Sequence, residues 1–172
     1  MSDIFDKVTE DHDPIKKLIA KIPGFKGYIE RGDRRMSDKL LREKVADEYE
    51  GYYQRISGLQ RALISQGGLA YIDDLENAAI KLRQFIDRVR TASYGYAGLF
   101  DAIKIKEEEL STIYQYDADL LEKGSTVSAA IDNLEASIGT EGLPASLRHL
   151  ISVAQECVDL FNTRSNALKG IG

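Results

Sequence analysis

The sequence predicts an all-α protein, an elongated up-and-down four-helix bundle with a short N-terminal amphipathic helix. Three observations carry this. Apolar residues recur at three- and four-residue spacing through four long segments. Glycine and proline gather at the breaks between those segments. No stretch of any length alternates apolar and polar residues as a half-buried strand does. With 172 residues, 43% of them hydrophobic, the chain is long enough for one domain with a real core.

Residues 1–13, with their run of acids, read as an acidic flexible tail. Asp13 and Pro14 then form a good N-cap and first-turn pair. Ile15, Leu18, Ile19 and Ile22 follow at i, i+3, i+4 and i+7, with Lys16, Lys17 and Lys21 off the stripe. That is a short, basic, amphipathic helix. Pro23-Gly24 stops it, and Phe25, Tyr28 and Ile29 lie in a Gly-rich stretch without clear period. Residues 14–30 are thus an amphipathic helix and a Gly/Pro hinge, and residues 31–170 the helical bundle.

The first long stripe runs Leu41, Val45, Tyr49, Tyr52, Ile56, Leu59 and Leu63, from a start near Asp33 to Gly67-Gly68. Gly51 and Gly58 lie off it and lower the helix propensity. The second runs Ile72, Leu75, Ala79, Leu82, Phe85/Ile86 and Val89, a heptad-like seam. So short a connection between the two predicts an antiparallel hairpin. TASYGYAGLFD, residues 91–101, reads as a break or tight corner. The third stripe runs Leu110, Ile113, Leu120, Val127, Ile131, Leu134 and Ile138, with Asp117 and Gly124 in the two seam positions that fall out of pattern. After the turn at 139–142, Leu143, Leu147, Leu150, Ala154, Cys157, Phe161 and Leu168 form the last seam, with Arg164 as its polar exception. Asp117 either sets register or partner, or pairs with Arg164 as a structural ion pair.

Formal net charge is −5, unevenly spread. Residues 1–14 hold one basic and five acidic residues, residues 15–45 ten basic and four acidic, and residues 46–172 twelve basic and nineteen acidic. A basic segment therefore leads an acidic body. The acidic total argues against nucleic acid as the main partner. A single cysteine excludes an intrachain disulfide and fits a reducing cytoplasm. The N-terminal stretch has no apolar region of a secretion signal, and no window approaches the length of a membrane span.

Most catalytic chemistries lack their residues. Only His12 and His149 are present, there is no Glu-x-x-His, and one cysteine with two separated histidines makes no zinc site. Neither a P-loop nor a dinucleotide fingerprint occurs. Cys157 on a heptad seam reads as a small buried hydrophobe, and His149 as a boundary or core residue. No cofactor and no metal are expected.

Three features remain as candidate contact sites. The first is the leader: Ile15, Leu18, Ile19, Ile22 and Phe25 offer an apolar face, and Lys16, Lys17, Lys21 and Lys26 a basic one. That face packs on the bundle itself, fills a partner's groove, or lies on an anionic membrane. The second is the strip Arg34, Arg35, Lys39 and Arg42, of which Arg35, Lys39 and Arg42 share one helix face. It is answered by acids within the chain or grips an acidic partner. The third is tyrosine: Tyr49, Tyr52 and Tyr53 on one helix, Tyr94 and Tyr96 around Gly95. These read as bundle-edge packing or as an oligomer interface.

The stretches IPGFKGY, ERGDRRMSDKLLR and TASYGYAGLFD resemble an uncharacterised group of small bacterial helical proteins. That resemblance implies a helical fold and no activity. The order of a basic amphipathic leader before long helices is similar to that of phage-shock-protein-A-like membrane remodelling proteins, without a shared motif. Taken together, the sequence predicts a cytoplasmic, non-enzymatic interaction or scaffold protein that self-associates. Its partner is a homo-oligomer copy or an acidic helical protein. A peripheral membrane protein using the leader is the alternative, and an enzyme of unidentified type the remaining one.

Overall fold

The computed structural model describes residues 13–92 and 107–169, apart from the side chains of 13–15, 34–35, 107–111, 113 and 168–169. Among these residues it is all-helical, with six α-helices and one 3₁₀ turn: α1 (Asp13–Lys21), α2 (Phe25–Glu30), α3 (Arg34–Ser65), the 3₁₀ turn Leu69–Tyr71, α4 (Ile72–Thr91), α5 (Glu107–Ser137) and α6 (Leu143–Lys169). The tail 1–13 lies outside them save for Asp13.

Each boundary has a local cause. After α1 the chain turns through Pro23 and Gly24, the latter at φ +84°, a conformation that suits glycine. Residues 25–30, expected as loop, form the one-turn helix α2. Its reason is tertiary: Phe25 is 1% exposed and meets Tyr114 of α5 edge-on, with ring centroids 6.2 Å apart. Asp33 caps α3, accepting from the Met36 N–H at 3.1 Å. Gly67, at φ +78°, ends it, and the Gly68 N–H returns to the Leu63 carbonyl at 2.7 Å. Asp73 and Asp74 in the first turn of α4, and Arg88 and Arg90 in its last, match its dipole.

The four long helices form a ring of contacts: α3 on α4, α4 on α6, α6 on α5, and α5 on α3. Directions follow from the cross-helix bonds. Tyr49 reaches Leu120, and Arg55 reaches Ser128 and Asp132, so α3 and α5 run the same way. Lys81 reaches Gln155 and Arg88 reaches Asn162, so α4 and α6 also run together. Arg83 and Arg90 meet Glu50 and Asp47, with the opposite sense expected of the α3–α4 hairpin. Chain neighbours α4 and α5 are therefore not ring neighbours. The route from Thr91 to Glu107 joins opposite corners.

The predicted stripes supply the core. Leu41, Val45, Tyr49, Ile56, Leu59 and Leu63 of α3 are buried, as are Leu75, Ala79, Leu82, Phe85, Ile86 and Val89 of α4. Leu120, Val127, Ile131 and Leu134 come from α5, and Leu143, Leu147, Leu150, Ala154, Cys157 and Phe161 from α6. Both seam exceptions on α5 are buried as well. A Cβ on Gly124 would stand 3.1 Å from Glu48 Oε1 and 3.2 Å from the Tyr52 hydroxyl, so the missing side chain makes room for α3. Asp117 meets Arg164. α1 lies on α5, antiparallel to it, and α2 on α3.

Candidate functional site

The basic leader divides sharply between its two faces. Leu18 is 0% and Ile22 3% exposed, both in the core cluster, and Ile19 packs against it half-buried. Burying such a side chain is worth about 2 kcal/mol. Lys16, Lys21 and Lys26 face solvent. Lys17 bonds Glu122 of α5 at 2.5 Å, and Lys26 stands 3.8 Å from Glu30 within α2. Phe25 joins the buried face. The Ile15 side chain lies outside the described ones. Exposed pairs of this kind stabilise by at most about 1 kcal/mol each.

Of the strip Arg34, Arg35, Lys39 and Arg42, the first two side chains are not among those described. Lys39 is exposed, 3.9 Å from Glu43. Arg42 departs from the expectation of an exposed strip. It is buried, donating from Nε to Asp38 at 2.8 Å and from a terminal nitrogen to the Val89 carbonyl at 3.5 Å. The reason lies in the helix phase: Asp38 and Arg42, one turn apart, both fall on the inner side of α3 beside Leu41 and Val45. Val89 sits in the last turn of α4, where a carbonyl needs a donor from outside the helix.

Arg42 belongs to a buried charge cluster. Arg164 of α6, 1% exposed, donates from Nε to Asp117 of α5 and from its other arm to Asp38 at 3.0 Å. Two arginines and two aspartates balance to zero. Burial pushes the Asp117 carboxyl up, to about 6, against the pull of Arg164. Burial disfavours the Arg164 cation too, but Asp117 and Asp38 outweigh it and hold the guanidinium charged. The pairing of the two seam exceptions was visible in the sequence. Asp38 and Arg42 were not, because an i, i+4 pair on a charged helix looks the same on either face.

The tyrosines part ways. Tyr49, read both on the first long stripe and among the edge tyrosines, is wholly buried, as the stripe requires. Its hydroxyl donates to the Leu120 carbonyl at 3.0 Å, and its ring lies 4.5 Å from that of Phe85. Burial raises its phenol far above the usual range. The Cys157 thiol points at the same hydroxyl from 3.7 Å, and burial pushes it up to about 11, so it stays protonated. Tyr52 is half-buried, bonded to Glu48 at 2.9 Å over Gly124. Tyr53 is half-buried under the Arg83 guanidinium, 4.1 Å from its ring centre. Tyr94 and Tyr96 lie outside the described residues. His149, read as boundary or core, is exposed.

At the opposite end of the ring the α3–α4 and α5–α6 turns enclose a cleft of about 160 Å³. Leu63, Tyr71, Ile138 and Leu143 line it, with Gln66 and Thr140 at its polar side. Leu69, nearby on the 3₁₀ turn, is 67% exposed. Among the described residues, the lining of the cleft holds no carboxylate, lysine, histidine or cysteine. Among the described residues no helix is long and apolar enough to cross a membrane. In comparisons with known proteins, the chain matches no family model, no curated protein and no solved structure.

Proposed function

We propose that this chain is a non-enzymatic helical interaction protein that self-associates, its basic N-terminal face meeting the acidic helical surface of a second copy. On this reading the long helices are an elongated up-and-down four-helix bundle, and α1 is the short amphipathic helix laid along its side. A cytoplasmic setting belongs to the same reading, from the single, buried cysteine.

One observation supports it above the rest. The apolar face of α1 rests on its own chain, so what the leader offers outward is charge: Lys16, Lys21 and Lys26, with Lys39 beyond them. The surface with the complementary sign is the body itself, with nineteen acidic and twelve basic residues over 46–172. Contacts of this kind steer association and weaken with salt.

Light scattering at rising concentration and salt tests it. The wild type is expected to exceed 19.2 kDa at low salt and to fall back as salt rises. Lys16→Glu/Lys21→Glu/Lys39→Glu is expected to remain at the monomer mass. A wild type that stays monomeric throughout, or a triple variant that associates as well, refutes the reading. An anionic membrane surface is the second reading. It requires Leu18, Ile22 and Phe25 to leave the protein for lipid.

A further inference from the structure

We propose that α1 is exchanged between copies: the face of α5 that holds a chain's own α1 takes the α1 of a second copy, and the reciprocal exchange makes the dimer. This rests on the self-association proposed above and names the segment that carries it: the outward lysines steer the encounter, and on exchange the apolar face of α1 moves from its own α5 to that of the second copy.

The groove and its occupant are both on view. α1 lies antiparallel on α5: Lys17 meets Glu122 near its start, and just past the hinge Phe25, the first residue of α2, meets Tyr114. Tyr114, Ala118 and Leu121 share that face of α5 at i, i+4 and i+7, and all three are buried. Lys17 and Glu122 are 105 positions apart, so the contact owes nothing to sequence proximity. The arm joins α2 through Ile22–Gly24 alone.

That joint suits an exchange. Gly24 holds φ +84°, and no atom lies within 4 Å of where its Cβ would be. Nothing crowds the hinge residue itself, and swinging its φ to the helical region straightens the bend while lifting Leu18 and Ile22 off the home groove, to be buried again in the neighbour's. α1 and α2 then project as one rod, and the arm reaches a neighbour. In the neighbour's groove the arm makes the contacts it makes at home, so the closed and exchanged forms differ chiefly in the hinge and in the entropy of association. Charge favours the same occupant: the arm is basic and the body it docks on is acidic, and a second copy supplies that body by construction.

The test uses full chains carrying Cys157→Ser. One population has Lys17→Cys, the other Glu122→Cys, both exposed positions. They are mixed at high concentration and treated with a short bis-maleimide. A covalent heterodimer is expected. The doubly substituted chain at high dilution is expected to give an internal link, which shows that α1 docks. Gly24→Ala is expected to raise the dimer association constant about 25-fold, about fivefold for each of the two hinges that open. Alanine is strained at φ +84° in the closed hinge and relaxed in the open one. A dimer that forms without the cross-chain link, or whose association constant Gly24→Ala leaves unchanged, overturns the exchange while sparing self-association. A monomer at every concentration overturns both. Flotation with anionic vesicles, with loss of the 17–122 link, assigns the apolar face of α1 to lipid and likewise overturns the exchange.

Discussion

Replacing Arg164 with leucine removes a guanidinium that touches both Asp117 and Asp38. Arg164 is 1% exposed, bonded to Asp117 and to Asp38, while Arg42 holds the far oxygen of Asp38. The wild-type cluster is neutral. The variant leaves it with one negative charge too many in a place water does not reach. Removing one partner of a buried ion pair costs about 3–5 kcal/mol. For a chain of this length each kcal/mol moves Tm by about 2–4 °C, so Tm is expected to fall by about 10 °C near pH 8. The deficit should also depend on pH. Burial already pushes Asp117 up to about 6 from 3.8, and Arg164 is what pulls the other way. Without it the folded pKa climbs further. A carboxyl whose folded pKa lies above its unfolded one contributes fully below the unfolded value and loses that contribution as pH rises through the folded value. The Tm gap between wild type and Arg164→Leu should therefore be smaller at pH 5 than at pH 8. Asp117→Leu/Arg164→Leu, which keeps the Asp38–Arg42 pair and adds matched apolar surface, should lose less than Arg164→Leu alone. Thermal melts followed by circular dichroism decide it. A loss below about 1 kcal/mol, equal at both pH values, would mean that the cluster is hydrated, and the reasoning fails.

The glycines of the long helices give a matched pair of expectations. Gly51 is exposed in mid-helix with no atom within 4 Å of its Cβ position, so Gly51→Ala should add about 1 kcal/mol in urea titrations. Gly124→Ala should show no such gain, because its methyl group displaces Tyr52 from Glu48, and should recover the gain in a Tyr52→Ala background. Cys157 should be silent to a thiol reagent at pH 8 in the folded protein and react once unfolded, since burial holds the thiol protonated and out of reach. Rapid labelling of the native chain would show that the seam around it opens.

The stripes were legible because long helices with one buried face must repeat, and those described kept their phase. So were the two misfits on the seams, Asp117 and Arg164, which stand out because everything around them is apolar. Arg42 was misplaced, and Tyr49 was read both as a stripe residue and as an edge one, for a common reason. α3 is 32 residues long with only weak segregation of apolar residues, so a charged or phenolic side chain near its stripe falls inside or outside on a few degrees of phase. α2 was missed because a six-residue segment with a glycine has no helical signature of its own; Phe25 settling on Tyr114 makes it. The order of helices around the ring was out of reach for another reason. Short turns determine which helices form the α3–α4 and α5–α6 hairpins, but the stretch between them is long enough to reach either the neighbouring or the opposite corner.

The charge cluster also says how those two hairpins find their alignment. One brings Asp38 with Arg42, and the other brings Asp117 with Arg164. Each pair is neutral within its own hairpin, so closing one on the other buries no net charge. Within the cluster, the bond from Arg164 to Asp38 crosses the joint. Leucine and isoleucine tolerate a slide of one helical turn along a greasy seam, but this bond does not. Slipping by 5.4 Å would strand an arginine against hydrocarbon. The cluster thus acts as a key cut into the seam, selecting one axial setting out of several that the apolar contacts alone would accept.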